Sequence, residues 1–484
     1  MLSGLFTFQS QQEALGFPPD WNRTGPPLLW LYHLHYHEFI WELPFDRARA
    51  VAKDWIARHP CGPDRVGWQP YPTSLRISTW CAYFFGRHRS RTLGDDAFRN
   101  TLWRSTCEQA YHLARNVEWH LLGNHLLENA VALVLAGSCF DHASARAWLQ
   151  KGRALLAREL PEQILGDGGH IERSPMYQCR VLHALLAVHD TGEQDLSALV
   201  RPHRPMVAEA LAALTHPDGR IALLNDSAFG VYPDPERLVQ KAGAAPPPPG
   251  AFALAHSGYY GARTSDGHYV VCDAGPVGPD YQPGHGHADL LSFELSLRGV
   301  RVVVDSGVGT YEAGGLRDYC RSTRAHNTVE IEGHDQVELW GAFRVGRRCR
   351  PQDIAWKALD GAFELSARHD GYRVLPGRPT HARRFLWQDR GVLEIGDRID
   401  ATRPVRSVAR LHFHPECRLT HSDGESCVVD FPGGRAQLTW AGWETATEGE
   451  SFYCPAFGVV QENPCLAFAT VAEHVRGSIR IELD

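Results

Sequence analysis

Four consecutive prolines, Pro246–Pro249, divide this chain into two halves that differ in the spacing of their apolar residues. Proline lacks a backbone N–H and restricts φ, so the segment 241–252 cannot continue a helix and favours an extended spacer. The chain has 484 residues, which is more than one hydrophobic core usually serves. We therefore predict two domains, residues 1–245 and 252–484, joined by this proline-rich linker.

The half before the prolines shows the residue spacing of helices. Apolar residues in Asp46–His59 recur at helical intervals, and Leu126–Leu135 is apolar enough for a helix that is buried on most sides. Similar segments follow at 144–160, 175–188 and 206–214. We predict an α-helical first domain.

The half after the prolines is made of short runs rich in β-branched residues and bounded by Gly or Asp. Such runs with turn signals between them indicate an antiparallel β-sandwich. The clearest runs are 269–272, 291–296, 300–304, 328–331, 392–395, 427–431 and 479–483.

Composition excludes several classes of protein. Hydrophobic residues make up 43% and charged residues 22%, a globular balance, and the net charge of −7 does not favour nucleic acid as a partner. No run approaches the roughly 18 apolar residues of a transmembrane helix. The 12 Cys contain no CxxC pair, and the N-terminus lacks the pattern of a signal peptide. We expect a cytoplasmic protein, or a periplasmic one if a leader is missing, and an oligomer is possible.

A first cluster of candidate functional residues lies at the head of the apolar helix. Asn124 and His125 fall in its first turn, and Glu128 lies three residues after His125, on the same face. This pattern suits either helix capping with a packed core histidine or a functional site.

A second cluster is the run from Asp167 to Tyr177. Ser174 before Pro175 is a strong helix start, which places Tyr177 in the first turn. There the helix dipole, with Arg173 or Arg180, would favour a phenolate that serves as a base. The alternative is a tyrosine packed against the next helix.

Two further clusters hold histidines and a carboxylate at predicted strand ends. His285 and His287 alternate with glycines, and Asp305 is followed by Arg324 and His326. Two His and one carboxylate are adequate ligands for Zn²⁺. Aromatic residues such as Trp68 crowd the loops of the first half, where they either fill the core or stack on sugars.

Together these stretches resemble the heparinase II/III-like family of polysaccharide lyases. The likeness rests on Asn124-His125 with Glu128, on the run DGGHIERSPMY that ends at Tyr177, and on PGHGHADLLSFEL, VDSG and RSTRAHNTVEI in the second half. It spans most of the chain. The resemblance implies an N-terminal (α/α) incomplete toroid followed by a C-terminal antiparallel β-sandwich, the same order that the residues themselves predict.

The family resemblance also implies a reaction and a role for each matching residue. Members cleave uronate-containing polysaccharides by β-elimination. Tyr177 resembles the tyrosine that removes the C5 proton and protonates O4, and His125 resembles the base for the opposite C5 epimer. Asn124 and His285 resemble the groups that neutralise the uronate carboxylate, and Glu128 an acidic residue near the catalytic histidine.

The resemblance further implies a structural zinc ion and an acidic polysaccharide or oligosaccharide as the partner. The zinc ligands would be His287, Asp305 and His326. The N-terminal aromatic segments resemble a branch from bacterial capsule and exopolysaccharide gene clusters, so the substrate stays open between heparan, alginate and the organism's own polymer. Further candidates for substrate contacts are Arg173, Arg180, Arg324, Tyr311, Tyr319 and Trp68.

Two other functions stay open from the sequence. A glycoside hydrolase on an α/α toroid would need two carboxylates flanking a cleft. Its candidates lie in the first half, at Glu128, Asp167, Glu172 and Asp226. A non-catalytic protein for carbohydrate binding or exopolysaccharide assembly would bind saccharide without turnover. Formation of an unsaturated product discriminates between these readings.

Overall fold

The computed structural model describes residues 3–62, 65–359, 361–388 and 390–484. By their contacts these residues form two compact units. The first is Met1–Gln163 with His183–Arg204, and the second is Ile164–Leu182 with Pro205–Asp484. The second unit therefore includes helical segments from before the prolines as well as the sheets that follow them.

The first unit is built from helices, as predicted. Its indole-rich core buries Trp30, Trp55 and Trp80 completely. A short hairpin, Leu5–Phe8 with Gln11–Ala14, precedes the helices and was not predicted from the sequence. The helices are Leu28–Tyr36, Phe45–Arg58, Pro70–Trp80, Arg89–Leu93, Asp96–Arg115, Gly123–Cys139, Ala143–Gln163 and Gln194–Val200, with a π-helix at Cys81–Arg87 and 3₁₀ turns at Glu38–Glu42 and Val66–Trp68.

The second unit holds further helices beside its sheets. Pro175–His189 and His203–Ala213 each contain a point at which the chain passes from one unit to the other. Pro235–Lys241 precedes the prolines, and Gly315–Arg321 with the 3₁₀ turn Thr323–Ala325 lies among the strands. Residues 244–248 form neither helix nor strand, which agrees with an extended proline segment.

Two antiparallel sheets make up the β part of the second unit. In the smaller sheet the strands are neighbours in chain order: Gly250–Leu254, Tyr259–Arg263, Tyr269–Asp273, Phe293–Leu297 and Val300–Val303. The larger sheet has the order Gln352–Leu359, Ala362–His369, Thr380–Gln388, Val392–His412, Cys465–Leu483, Gly434–Ala441, Ser426–Phe431 and Arg418–Asp423, with Thr445–Glu448 paired to Cys465–Leu483 and Val329–Ile331 to Val392–His412. Short pairs are Leu339–Trp340 with Arg344–Val345, and Phe452–Tyr453 with Gln461–Glu462.

The two sheets share one hydrophobic core, which makes the β part a sandwich, as predicted. Side chains of both sheets meet in this core, and the rings of Phe293 and Phe385 lie 5.7 Å apart. Along Ala362–His369 buried and half-buried residues alternate strictly, the pattern of a strand with one face inward. The predicted run at 392–395 is only the beginning of a long strand, Val392–His412, whose register shifts between Asp400 and Val405.

Candidate functional site

The second unit places Tyr177 by helix capping. The Tyr177 N–H donates to the Ser174 side-chain oxygen (3.3 Å), and the Ser174 hydroxyl in turn donates to the carbonyl of Asp226 (2.6 Å). The helix begins at Pro175, and Arg173 just before it has φ of 55°. The predicted helix start at Ser174 and Pro175 is thus confirmed.

The phenol ring of Tyr177 lies between other aromatic groups. Its centroid is 4.3 Å from that of His285, and its hydroxyl is 3.3 Å from the hydroxyl of Tyr311. Burial and the carboxylate of Asp226 raise the pKa of Tyr311 well above its ordinary value. Tyr311 therefore keeps its proton and can donate a hydrogen bond to the Tyr177 oxygen.

His285 is oriented by a carboxylate that the sequence did not associate with it. The Nδ1–H of His285 donates to Asp226 Oδ2 (2.8 Å), while Nε2 lies 3.8 Å from Glu172 Oε2, beyond hydrogen-bond distance. Because Nδ1 is taken by Asp226, Nε2 is the nitrogen that is left for a substrate.

Asp226 lies at the centre of a buried group that we call the Asp226 cluster: Asp226, His285, His287 and Arg317. His287 donates from Nε2 to Asp226 Oδ1 (2.9 Å), and both terminal nitrogens of Arg317 donate to the same carboxylate, one of them to Oδ2 at 2.9 Å. Burial would raise the pKa of Asp226, but Arg317 and the two histidines hold it well below its ordinary value. The carboxylate is ionised, and both of its oxygens accept hydrogen bonds.

The two arginines predicted to assist Tyr177 have other partners. Arg173, which is half-buried, donates from Nε to the carbonyl of Ser257 and from Nη1 to that of Ile171, both at 3.0 Å. Arg180 is buried with its guanidinium 5.5 Å from the ring centre of Tyr232. Arg173 thus holds loop carbonyls in place.

The structure also decides between the two candidate second tyrosines. Tyr311 contacts Tyr177, whereas the Tyr319 hydroxyl accepts the N–H of Phe452 (3.0 Å) within a separate apolar cluster. Arg324 is exposed and lies over the Tyr319 ring at 5.4 Å. Tyr319 and Arg324 thus contact each other, and their role in substrate binding stays a prediction.

The predicted metal ligands fit a zinc ion in part. The rings of His287 and His326 lie 5.4 Å apart, and among the described residues neither His287 Nδ1 nor His326 Nε2 has a hydrogen-bond partner. Two buried imidazole nitrogens without partners suit zinc. Asp305, however, accepts the Nδ1–H of His326 at 2.8 Å. Within the described part of the chain, no group of three His, Cys, Asp or Glu is arranged to hold a metal ion.

In the first unit, His125 belongs to a second polar group. Its Nδ1 lies 3.2 Å from Glu118 Oε1, and its ring lies 4.3 Å from that of Tyr71. A quarter of the His125 side chain is exposed (25%), whereas Asn124 and Glu128 are buried. His125 is thus partly accessible, and the packed-core interpretation does not describe it.

Trp68 is a core residue and not a surface for stacking sugars. It is buried, its indole N–H donates to the carbonyl of His59 (2.9 Å), and its ring lies 5.7 Å from that of Trp55. The interpretation of Trp68 as a substrate-binding residue is therefore wrong, because its ring faces the helices.

Two of the four candidate carboxylates for a hydrolase are engaged in structural hydrogen bonds. Asp226 is held by Arg317 and two histidines. Asp167 accepts from the backbone N–H and the hydroxyl of Ser257, at 2.7 and 2.8 Å. These contacts weigh against a hydrolase that uses either carboxylate.

The fold and the site define the class of protein: a helical unit and an antiparallel β-sandwich unit, the latter with a capped tyrosine beside an oriented histidine. Comparison with known families agrees with this description. Residues 46–229 match the model of the heparinase II/III N-terminus, and residues 246–480 match the heparinase II/III-like C-terminal model. The chain belongs to the heparinase II/III-like family.

Curated relatives include lyases and one protein with a different name. A heparin-sulfate lyase of Pedobacter heparinus is 26% identical over 59% of this chain and 47% of the relative. One of Bacteroides thetaiotaomicron is 25% identical over 62% of this chain and 51% of the relative. FtsZ-localized protein C of Caulobacter vibrioides is 27% identical over 89% of this chain and 78% of the relative. The chain thus spans about half the length of the two lyases.

Solved structures share the fold. A crystal structure of heparinase III superposes with a TM-score of 0.74 and 17% identity, covering 96% of this chain and 79% of the other. A heparan sulfate lyase of Pedobacter heparinus gives 0.67 and 17%, covering 100% of this chain and 82% of the other. At this identity the likeness establishes the fold alone, and it confirms the predicted helical domain followed by a β-sandwich.

Proposed function

We propose that this protein is a polysaccharide lyase that cleaves a uronate-containing polysaccharide by β-elimination. The observation that carries the proposal is Tyr177 in the first turn of its helix, with its ring 4.3 Å from that of a histidine that Asp226 orients. A phenol beside a fixed imidazole supplies a proton-transfer group and a donor for the substrate carboxylate. The family and the names of the lyase relatives support this reaction class.

The reaction balances without water. The C5–H bond breaks and its proton passes to the Tyr177 oxygen, while the electron pair is delocalised into the uronate carboxylate as an enolate-like intermediate. That pair then forms the C4=C5 double bond as the C4–O4 bond breaks, and O4 takes the proton from Tyr177. The products are a 4,5-unsaturated uronate end and a new hydroxyl end, and Tyr177 returns to its starting state.

The carboxylate beside C5 makes the proton hard to remove, because its loss adds charge to an anion. In our proposal His285, whose Nδ1–H is held by Asp226, donates a second N–H from Nε2 to this carboxylate and stabilises the enolate-like intermediate. The family resemblance assigns the same role to the Asn124 amide. Each such donor contributes roughly 10²–10³ to the rate. Asp226 acts only through His285, as a positioning residue.

Tyr177 itself needs help, since a free tyrosine has a pKa of about 10. Its helix N-terminus favours the phenolate, and the neutral Tyr311 hydroxyl 3.3 Å away can donate to it.

His125 is proposed as the base for substrates of the opposite C5 configuration. A zinc ion held by His287 and His326 would order the segment that carries His285. The natural substrate is proposed to be heparan, alginate or a bacterial exopolysaccharide.

The test is Tyr177→Phe assayed on a panel of uronate polymers by the near-ultraviolet absorbance of the unsaturated product. The ring remains, so folding is spared, and elimination should fall by at least roughly 10². The matched control is Tyr372→Phe, which removes a buried hydroxyl that donates to the Val329 carbonyl (2.7 Å) elsewhere in the same unit. Near wild-type turnover by Tyr177→Phe would refute the mechanism.

A second candidate function comes from a relative whose alignment covers more of this chain than those of the two lyases. FtsZ-localized protein C matches 89% of this chain, more than either lyase does. A protein that associates with FtsZ polymers, or binds saccharide without turnover, is therefore the alternative. Co-sedimentation with purified FtsZ polymers supports the alternative if the protein pellets with them and gives no unsaturated product.

A further inference from the structure

A short hairpin next to the Asp226 cluster exposes two aromatic side chains. In this aromatic hairpin, residues 339–345, Leu339–Trp340 pairs with Arg344–Val345. Trp340 is 53% exposed and Phe343 is 43% exposed. Aromatic rings on a tight hairpin offer flat apolar faces to a ligand at little conformational cost. Their exposure calls for an occupant that has both an apolar face and polar groups.

The aromatic hairpin is hydrogen-bonded to the Asp226 cluster. Arg317 donates from Nε to the carbonyl of Ala342 (2.9 Å) while its terminal nitrogens hold Asp226. The Phe343 ring lies 5.1 Å from the ring of Tyr311 and 6.1 Å from that of His285. One guanidinium therefore positions both the proposed catalytic histidine and the exposed rings beside it.

The same segment continues into a basic stretch. Residues 344–350 read RVGRRCR, with four arginines. Arg348 donates to the Asp280 carbonyl (2.6 Å), Arg350 pairs with the Asp280 carboxylate, and the Arg350 side chain is 67% exposed. Glu338 accepts the Trp340 indole N–H (3.0 Å). Within the described part of the chain, the carboxylates that bond to this stretch of four arginines are those of Asp280 and Glu338, so the patch carries positive charge.

The basic patch and the loop of His285 are linked through Asp280, which lies in the same segment as His285. The Phe343 backbone also comes close to this segment, since a Cβ placed on Gly284 would lie 3.4 Å from the Phe343 carbonyl oxygen. The rings of the aromatic hairpin and the arginines of the basic stretch thus lie beside the proposed reaction site. A sugar that stacks on the rings would bring its substituents to the arginines.

We propose that the aromatic hairpin with Arg348 and Arg350 binds the sugar next to the cleaved uronate and selects one that carries an anionic substituent, a sulfate or a carboxylate. This proposal rests on the lyase function proposed above. Stacking on Trp340 and Phe343 supplies affinity for a pyranose ring, and the guanidinium groups supply the preference for the anion. The substrate class is therefore a polymer with negative charge on neighbouring sugars.

The experiment compares three polymers: heparan sulfate with sulfated neighbours, polyglucuronate with carboxylate neighbours, and heparosan with neutral N-acetylglucosamine neighbours. KM and kcat come from the absorbance of the unsaturated product, and Kd comes from fluorescence polarisation of labelled oligosaccharides. The variants are Arg348→Gln/Arg350→Gln and Trp340→Ala. The control is Arg435→Gln, an exposed arginine that pairs with Asp430 on the large sheet.

The double arginine variant should raise Kd and KM for a polymer with anionic neighbours by roughly tenfold, and for heparosan by much less. Trp340→Ala should weaken all three polymers alike, because stacking does not depend on charge. A larger loss with heparan sulfate than with polyglucuronate identifies sulfate as the anion, and the reverse identifies carboxylate. Arg435→Gln should behave as wild type.

Equal Kd for all three polymers in the wild type and the double variant would overturn the proposal, as would the absence of binding by the wild type. If the wild type binds with the expected selectivity but forms no unsaturated product, the lyase function fails and the subsite stands. If product forms while the arginine variant keeps its affinity, the lyase function stands and the subsite fails.

Discussion

The buried ion pair of Asp226 and Arg317 offers the sharpest test of how the site is built. Both side chains are fully buried, and Asp226 accepts four hydrogen bonds, two from Arg317 and one each from His285 and His287. Asp226→Ala leaves a buried guanidinium without a counter-charge, and Arg317→Met leaves a buried carboxylate. Each single change should lower the free energy of unfolding by about 3–5 kcal/mol.

The double variant Asp226→Ala/Arg317→Met removes both charges together. Its loss of stability should be smaller than the sum of the single losses by about 2 kcal/mol, the coupling that directly contacting residues show. Activity should not recover in parallel, because His285 still lacks the acceptor for its Nδ1–H. A misplaced catalytic group costs roughly 10² in rate. The double variant is thus expected to regain part of its stability without regaining turnover.

Urea unfolding followed by circular dichroism measures the stability of all variants, and the absorbance of the unsaturated product measures turnover. The control is Asp430→Ala, which breaks an exposed pair with Arg435 and should cost under about 1 kcal/mol. Strictly additive single losses would refute the reasoning, because they would mean that Asp226 and Arg317 do not stabilise each other. Full turnover by the double variant would show that Asp226 does not orient His285.

Other predictions concern acid stability, metal content and the helical core. Burial lowers the pKa of His59 to about 4 and those of His35 and His37 well below the ordinary value, so the unfolded chain binds more protons below pH 6.5. Stability should be full above that pH and fall by up to about 1.4 kcal/mol per pH unit for each histidine as the pH drops toward 4. Elemental analysis should find about one zinc ion per chain, and His326→Ala should lose it with a lower Tm. Trp68→Ala should cost about 3–5 kcal/mol of stability while saccharide affinity stays unchanged.

Each of these predictions has a control or a contradicting outcome. Neither ring nitrogen of His59 has a hydrogen-bond partner among the described residues, so His59→Leu should flatten the pH slope at modest cost. A folded, active protein without metal would contradict the zinc assignment. Trp119 is 47% exposed, so Trp119→Ala should cost little stability compared with Trp68→Ala.

Local sequence signals predicted a large part of what the structure shows. The capping serine and the following proline located the start of the Tyr177 helix, because a helix N-terminus is decided by a few neighbouring residues. The spacing of apolar residues separated the helices from the strands, and within the described residues no helix is both long and apolar enough to cross a membrane. The strand at 392–395 was found but not its length, since partners far along the chain extend it to His412.

The partners of the site residues were decided by the tertiary structure alone. Asp226 lies 59 residues from His285 and 91 from Arg317, and nothing in the sequence around any of the three marks the others as a partner. The sequence also did not determine that Tyr311, and not Tyr319, is the neighbour of Tyr177, or that Trp68 is buried. Residue type and local spacing determine which groups a chain can offer to a reaction. Which of them meet depends on how distant segments pack, and that information is spread over the whole core.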